Sequence, residues 1–242
     1  MPPLELTGER TLPDVPAENY WYRRHLAVYE WIGARVAGLR VLDMACGEGY
    51  GSEVLSRSAA SVVGVDANPE AHEHARRRYV RQDLRFERAL VETYGEPSCC
   101  DAVVFLQTIE HLADPAAVLE HFLAILAPGG VVYVTTPNLL TLAPPGASKS
   151  DNPWHLREYR AAEFEQLCLG VFSNVELLGV FHARKLRAHE LALRLGWDRV
   201  HQRLGLTAPF YDRFTAALTA TDFSVRAGRL DQALDFLAVC RP

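Results

Sequence analysis

The chain has 242 residues, 49% of them apolar and 23% charged, which is enough for one hydrophobic core and too apolar for a disordered chain. Its apolar runs fall far short of the roughly 20 residues a membrane-spanning helix needs, and 25 basic against 30 acidic side chains leave a net charge of −5, the wrong sign for bulk nucleic-acid binding through many phosphate contacts. Five cysteines, an odd number with no paired C-x-x-C spacing, suit reduced packing thiols, and the start of the chain lacks a basic region followed by an apolar core, so a cytoplasmic protein is expected.

From residue 40 onward strand-like runs alternate with helical ones, the pattern of an α/β fold whose mostly parallel sheet is covered on both faces. A helix candidate at 17–37, crowded with Tyr20, Trp21, Tyr22, Arg23, Arg24 and His25, precedes the first strand at 40–45. A Gly-rich turn then leads to a helix over 52–59, a second strand over 61–66, and a helix that Pro69 opens and that runs to about residue 80. Its Arg76-Arg77-Arg78 run reads as a solvated face. A weaker strand over 84–88 is followed by one over 101–106 that is apolar along its length, as strands buried on both faces are. Asp114-Pro115 caps and opens the next helix, Pro128-Gly129-Gly130 ends it, and 131–136 is the fifth strand. After a loop at 137–153 rich in Pro, Gly and Ser come a helix at 160–169, a strand at 174–181, a mostly helical insertion at 184–220, and a strand at 233–240. The whole reads as a single domain, 1–242, with a helical cover at 17–37, a cofactor-binding core at 38–182, the insertion, and a final strand within 221–242.

The segment Asp43-Met44-Ala45-Cys46-Gly47-Glu48-Gly49-Tyr50-Gly51 joins a strand to a helix, where missing side chains let a ligand approach the backbone. Its G-x-G-x-G spacing differs from the G-x-G-x-x-G of dinucleotide sites, which argues against a nicotinamide cofactor and leaves a nicotinamide-dependent reductase as a competing reading of the same architecture. Asp66, 17 residues beyond Gly49, ends the second strand, where its carboxylate is placed to accept both ribose hydroxyls of an adenosine.

This stretch resembles the class I S-adenosylmethionine-dependent methyltransferases, whose first motif has the form V-L-D-x-G-x-G-x-G. Val41-Leu42-Asp43-Met44-Ala45-Cys46-Gly47-Glu48-Gly49 departs from it once, with Ala45 in place of the first glycine, a change that is tolerated if the residue keeps ordinary backbone angles. Val63-Gly64-Val65-Asp66, Asp101-Ala102-Val103-Val104 and Leu126-Ala127-Pro128-Gly129-Gly130 continue the resemblance in the expected order over about residues 38–182. It implies a Rossmann-like fold with a seven-stranded sheet and S-adenosyl-L-methionine as cofactor. By similarity Asp43 and the turn Ala45, Cys46, Gly47, Gly49, Tyr50 and Gly51 hold the methionyl part, Asp66 the ribose, Ala67 the adenine face, and Gln107 lies beside the sulfonium. Leu90 stands where many relatives carry an Asp that binds the adenine amino group, so a backbone group or Asp83 would have to substitute. Tyr20, Arg24 or His25 on the leading helix would supply the donor for the cofactor carboxylate.

Methyl transfer to oxygen needs an aligned acceptor and a group that takes its proton. Gln107-Thr108-Ile109-Glu110-His111-Leu112 follows the fourth strand and His155 follows the fifth, so both histidines belong at one end of the sheet. This is similar to the ubiquinone-biosynthesis O-methyltransferases and the small-RNA terminal 2′-O-methyltransferases, in which an E-x-x-E-H run, joined by a later histidine in the RNA enzymes, binds a divalent cation. Gln107 replaces the first glutamate and weakens that set for a hard cation such as Mg2+. Three roles stay open for Glu110, His111 and His155: cation ligands, direct bases, or anchors of the loop. Tyr20, Trp21, Trp154, Arg157, Tyr159 and Arg184 would mix aromatic and basic character around an acceptor pocket. Thr7-Gly8-Glu9-Arg10 with Glu18-Asn19-Tyr20-Trp21 also resembles the opening of bacterial methyltransferases of polysaccharide and glycolipid synthesis. The expectation is therefore an O-methyltransferase of a small, carbohydrate-containing acceptor, with an RNA terminal-ribose 2′-O-methyltransferase as the alternative.

Overall fold

The computed structural model describes residues 11–144, 146–147 and 149–242; Thr7-Gly8-Glu9-Arg10 lies outside them. The chain runs α1 (Asn19–Gly33), β1 (Arg40–Met44), α2 (Tyr50–Ser56), β2 (Ser61–Asp66), α3 (Pro69–Arg78), β3 (Leu84–Arg88), β4 (Cys100–Leu106), α4 (Pro115–Ile125), β5 (Leu126–Pro137), α5 (Leu139–Leu142), α6 (Ala161–Leu169), β6 (Asn174–His182), α7 (Arg184–Arg194), α8 (Trp197–Arg203), α9 (Thr207–Ala216), β7 (Phe223–Arg226) and β8 (Asp235–Arg241). A single sheet takes the order β3-β2-β1-β4-β5-β8-β6-β7. The first five strands in that order pair in parallel, and β8 enters antiparallel between β5 and β6.

Alternation along the strands divides the core. Val41, Val62, Ala102 and Val104 face α1, α2 and the Ala75 side of α3, while Leu42, Val63, Val103 and Phe105 face α4 and α6. Both faces are apolar because both carry helices, which is why these strands read as continuous hydrophobic runs. The sheet has eight strands rather than seven: β7, only four residues long, hangs antiparallel on the edge of β6, too short for its period to register in the sequence. The strand expected at 131–136 begins earlier, at Leu126. Leu126 pairs with Cys100 and Val131 with Ala102, so Pro128-Gly129-Gly130 bulges within β5 instead of following the end of α4. All five cysteines are free, four of them buried.

Strand order reverses between β1 and β4, and the carboxyl ends of these strands open on one side of the sheet, the usual place for a ligand in an open α/β sheet. There β1 runs into the Gly-rich turn, β2 ends on Asp66, β4 runs into Gln107, and β5 leads to the 138–158 loop.

Candidate functional site

Two adjoining cavities occupy this end of the sheet. One, of about 370 Å³, is lined by Ala45 to Glu48 and Tyr50 of the turn, Asp66, Ala67 and Asn68, Leu106 to Thr108, and Tyr29 and His25 of α1. The other, of about 290 Å³, is lined by Glu18, Trp21, Glu110, Leu142, Asn152 and His155 among others. Thr11, His25, Gln107 and His111 border both.

The first cavity is shaped by backbone. Gly47 has φ +55°, and a Cβ added there would meet nothing within 4 Å, so its peptide lies bare to the cleft. Gly49 and Gly51 serve packing instead: a Cβ at Gly49 would approach Ala75 Cβ at 2.8 Å, and one at Gly51 would lie 2.0 Å from the Tyr29 ring. Ala45 does not keep ordinary backbone angles, since its φ is +58°; Gln107, across the same cleft, has φ +52°. Two left-handed non-glycine residues at the ends of neighbouring strands mark a place where position outweighs conformational comfort.

Asp66 braces the turn. Its Oδ2 accepts from Gly47 N and its Oδ1 from Asn68 N, each at 2.8 Å, and each oxygen keeps a lone pair for a hydroxyl in the cleft. Asp43 sits beneath the turn, fully buried, and accepts from Ser52 Oγ at 2.6 Å and Tyr29 Oη at 3.2 Å. Burial pushes its carboxyl up to about 7 against those two donors. Glu48, given no role by the sequence, is a buried hub bonded by His74 Nε2 at 2.9 Å and Tyr79 Oη at 2.7 Å, with Arg78 3.1 Å away. Arg76, Arg77 and Arg78 are all exposed, as expected for a solvated face, and Arg78 in addition ties α3 to the turn through Glu48.

Around the second cavity the histidine geometry assigns its own protons. Asn152 Oδ1 accepts from Trp154 N at 2.9 Å, which turns its amide nitrogen toward His155 Nε2 at 3.0 Å. That nitrogen must accept, so His155 Nδ1 donates to Glu158 at 2.7 Å. Burial works to raise the Glu158 carboxyl, but donation from Ser150 and the neighbouring His155 bring it below the ordinary range. His111 Nδ1 lies 2.9 Å from the Trp154 carbonyl, which can only accept, so the basic nitrogen of neutral His111 is Nε2. The two rings meet edge to face at 5.0 Å. Glu110 is buried, accepts from Thr136 Oγ1 at 3.1 Å, and burial pushes its carboxyl up to about 8. Its carbonyl accepts from Leu156 N and Arg157 N, fastening the His155 loop to the end of β4. One donor atom each from Glu110, His111 and His155 falls within 4.8 Å of the others.

The structure thus gathers Ala45, Cys46, Gly47, Tyr50, Asp66, Ala67 and Gln107 at one cavity, and Glu110, His111 and His155 at the other. Six of the expected cofactor residues line neither cavity, the packing glycines Gly49 and Gly51 among them. Arg24, buried, forms a bidentate pair with Asp235 of β8, and Tyr20 donates to His182 Nε2 at 2.7 Å, so neither reaches the cofactor-side cleft. Leu90 is 58% exposed and lines neither cavity, and Asp43 acts from below the turn. Of the aromatic and basic residues expected at the acceptor, Trp21 lines the second cavity, Trp154 contributes its carbonyl to His111, and Tyr159 is buried with Arg157 over its ring at 5.1 Å. His25 does border both cavities, and burial lowers its pKa to about 4, so it carries no charge there near neutral pH.

Residues 20–191 match the family described as a methyltransferase domain. Over 98% of its length the chain is 39% identical to a probable S-adenosylmethionine-dependent methyltransferase of Mycolicibacterium smegmatis, covering 94% of that protein. It is 37% identical to one of Mycobacterium tuberculosis, over 98% of this chain and 89% of the relative. A stretch covering 45% of the chain is 35% identical to 48% of a ubiquinone biosynthesis O-methyltransferase of Xanthomonas campestris. A solved methyltransferase structure from Thermotoga maritima shares the fold with a TM-score of 0.63 at 14% identity, covering 93% of this chain and 94% of that one.

Proposed function

The chain belongs to the S-adenosylmethionine-dependent methyltransferases, and from that premise we propose that it methylates a hydroxyl of a small, carbohydrate-containing acceptor. Membership in this family removes the nicotinamide-dependent reductase from consideration. The observation that carries the proposal is the imidazole of His111 standing on the border between two adjoining cavities with Nε2 as its basic nitrogen. The partial likeness to a ubiquinone biosynthesis O-methyltransferase supports oxygen as the receiving atom.

The residues present fit the cofactor: the bare Gly47 peptide and the two Asp66 oxygens offer a backbone cradle and a diol acceptor in the larger cavity. Bound there, S-adenosylmethionine supplies an electrophilic methyl group on its sulfonium, which in-line attack by an acceptor oxygen transfers, leaving S-adenosylhomocysteine. His111 Nε2 accepts the hydroxyl proton, and its Nδ1–H donates to the Trp154 carbonyl, which steadies the ring as charge develops. His155, held between Asn152 and Glu158, is a positioning residue for the loop that carries that carbonyl. In the smaller cavity the half-exposed Trp21 offers a flat apolar face beside Glu18 and Asn152, the pairing that suits a sugar ring.

A second reading rests on the donor atoms of Glu110, His111 and His155, which lie within 4.8 Å of one another. Two imidazoles and a carboxylate would suit a transition metal better than Mg2+; His155 would join them only by exchanging the Asn152 amide at Nε2 for the ion, which would then acidify the acceptor hydroxyl directly. Transfer of radiolabelled methyl from S-adenosylmethionine into a fractionated extract of the source cells, with and without chelator, tests both. Label in the carbohydrate fraction is expected, His111→Ala losing at least about a hundredfold in turnover while keeping S-adenosylhomocysteine binding. Label confined to RNA would replace the acceptor, and loss of activity on chelation, restored by a divalent cation, would move His111 from base to ligand.

A further inference from the structure

The insertion between β6 and β7 carries an apolar face that the methyl-transfer site does not use. Of the thirteen large hydrophobic side chains exposed among the described residues, six lie between 191 and 206: Leu191, Leu195, Trp197, Val200, Leu204 and Leu206. Trp197 and Val200 on α8 and Leu204 at its C-cap follow one another at helical spacing, and Leu206 continues the face into the turn before α9. Between α8 and α9 lies an apolar groove of about 430 Å³. His201 lines it, buried, with Nδ1 on Thr207 and an Nε2 that has no hydrogen-bond partner.

Charge separates this segment from the rest of the molecule. Residues 184–216 hold seven basic side chains against three acidic ones, a surplus of positive charge inside a chain of net −5. Arg194, Arg199, Arg203 and Arg213 are exposed on the elements that carry the apolar face. Leu and Trp bordered by arginines is the composition of a helix pair that lies in the plane of an anionic lipid interface. A twofold contact between two copies of this face would set like-charged arginine rows against each other, which disfavours a second copy as the occupant.

We propose that α8, α9 and the turn between them dock on the surface of an anionic phospholipid bilayer, with Trp197, Val200, Leu204 and Leu206 entering the interfacial region and Arg199 and Arg203 meeting the phosphates. The face communicates with the site through α9: Asn19 Nδ2 donates to the carbonyls of Thr215 and Leu218, and the adjoining Glu18 and Trp21 line the smaller cavity.

Sedimentation of the full chain with vesicles of phosphatidylcholine alone, and with an equal part of phosphatidylglycerol, tests this. Binding is expected only with phosphatidylglycerol and should weaken as salt is raised. Charge reversal in the double variant Arg199→Glu with Arg203→Glu should weaken it on the order of thirtyfold or more, and Leu204→Glu with Leu206→Glu should abolish it, both variants still binding S-adenosylhomocysteine. The proposal is overturned if the wild-type chain stays in the supernatant at low salt, or if either variant binds like the wild type. It is equally overturned if the wild type is a dimer that the leucine variant dissociates while neither binds vesicles, which would make the face a contact between copies.

Discussion

Asp66 serves the backbone as well as any ligand, because its two oxygens already accept from Gly47 N and Asn68 N. Removing the carboxylate therefore takes two acceptor oxygens from the cleft and slackens the turn. For Asp66→Ala we expect S-adenosylhomocysteine binding to weaken by about 1.5–3 kcal/mol, the penalty for losing charged hydrogen bonds, in a calorimetric titration; unchanged affinity would take Asp66 out of the cofactor site. Ala45 makes the opposite case. At φ +58° its Cβ crowds the following carbonyl, a cost a glycine escapes, so Ala45→Gly should raise stability to urea by about 0.5–1 kcal/mol even after glycine's larger loss of chain entropy. A lower urea midpoint in Ala45→Gly would mean that the methyl group does more for packing than the left-handed angle costs.

Element by element, the same turn shows why its glycines differ. Gly51 lets α2 close on the Tyr29 ring, itself held by Asp43, so Gly51→Ala must either displace Tyr29 or push α2 off the sheet. A loss on the order of 3 kcal/mol is expected in denaturant unfolding, with cofactor binding weakened in step; a loss under about 1 kcal/mol would mean that Tyr29 has room to rotate away. Strands β1, β2, β4 and β5 are legible in the sequence because they are apolar on both faces, and their carboxyl ends place Gly47, Asp66, Gln107 and His111 without further information. What is not legible depends on distant partners. Arg24 and Tyr20 sit on a helix that was expected to face the cofactor, but Asp235, 211 residues away along the chain, draws Arg24 into the core. Glu48 looks like one more polar residue in a turn until α3 delivers His74 and Tyr79 to it. The fixed tautomer of His155 likewise follows from how Asn152 is held, which no spacing of residues encodes.

At the scale of the whole molecule, the site loads the core with ionisable groups whose proton affinities change on folding, and these set how stability responds to pH. Asp43 has an ordinary value of 3.8 and is pushed up to about 7 in the folded chain, so between those limits the folded state holds a proton that the unfolded state has released. Stability from this group therefore falls as pH rises from about 4 to 7, by on the order of 2–4 kcal/mol. Glu110, pushed up to about 8 by burial, acts in the same direction and extends the decline past neutrality. His25 opposes them on the acid side: lowered from 6.5 to about 4, it costs stability as pH falls through that window. Asp101, held below its ordinary value first by the Arg40 hydrogen bond, loses its contribution as pH falls further, below the usual carboxylate range. The combined profile should peak on the acid side of neutrality, so the urea midpoint at about pH 5.5 is expected to exceed that at about pH 8. Asp43→Asn should flatten the fall toward alkaline pH, since the amide has no proton to lose; a variant that keeps the full decline would assign it to Glu110 instead. Because Asp43 lies beneath the turn whose Gly47 and Asp66 line the larger cavity, a ligand that binds there only in the folded chain adds to this stability by mass action.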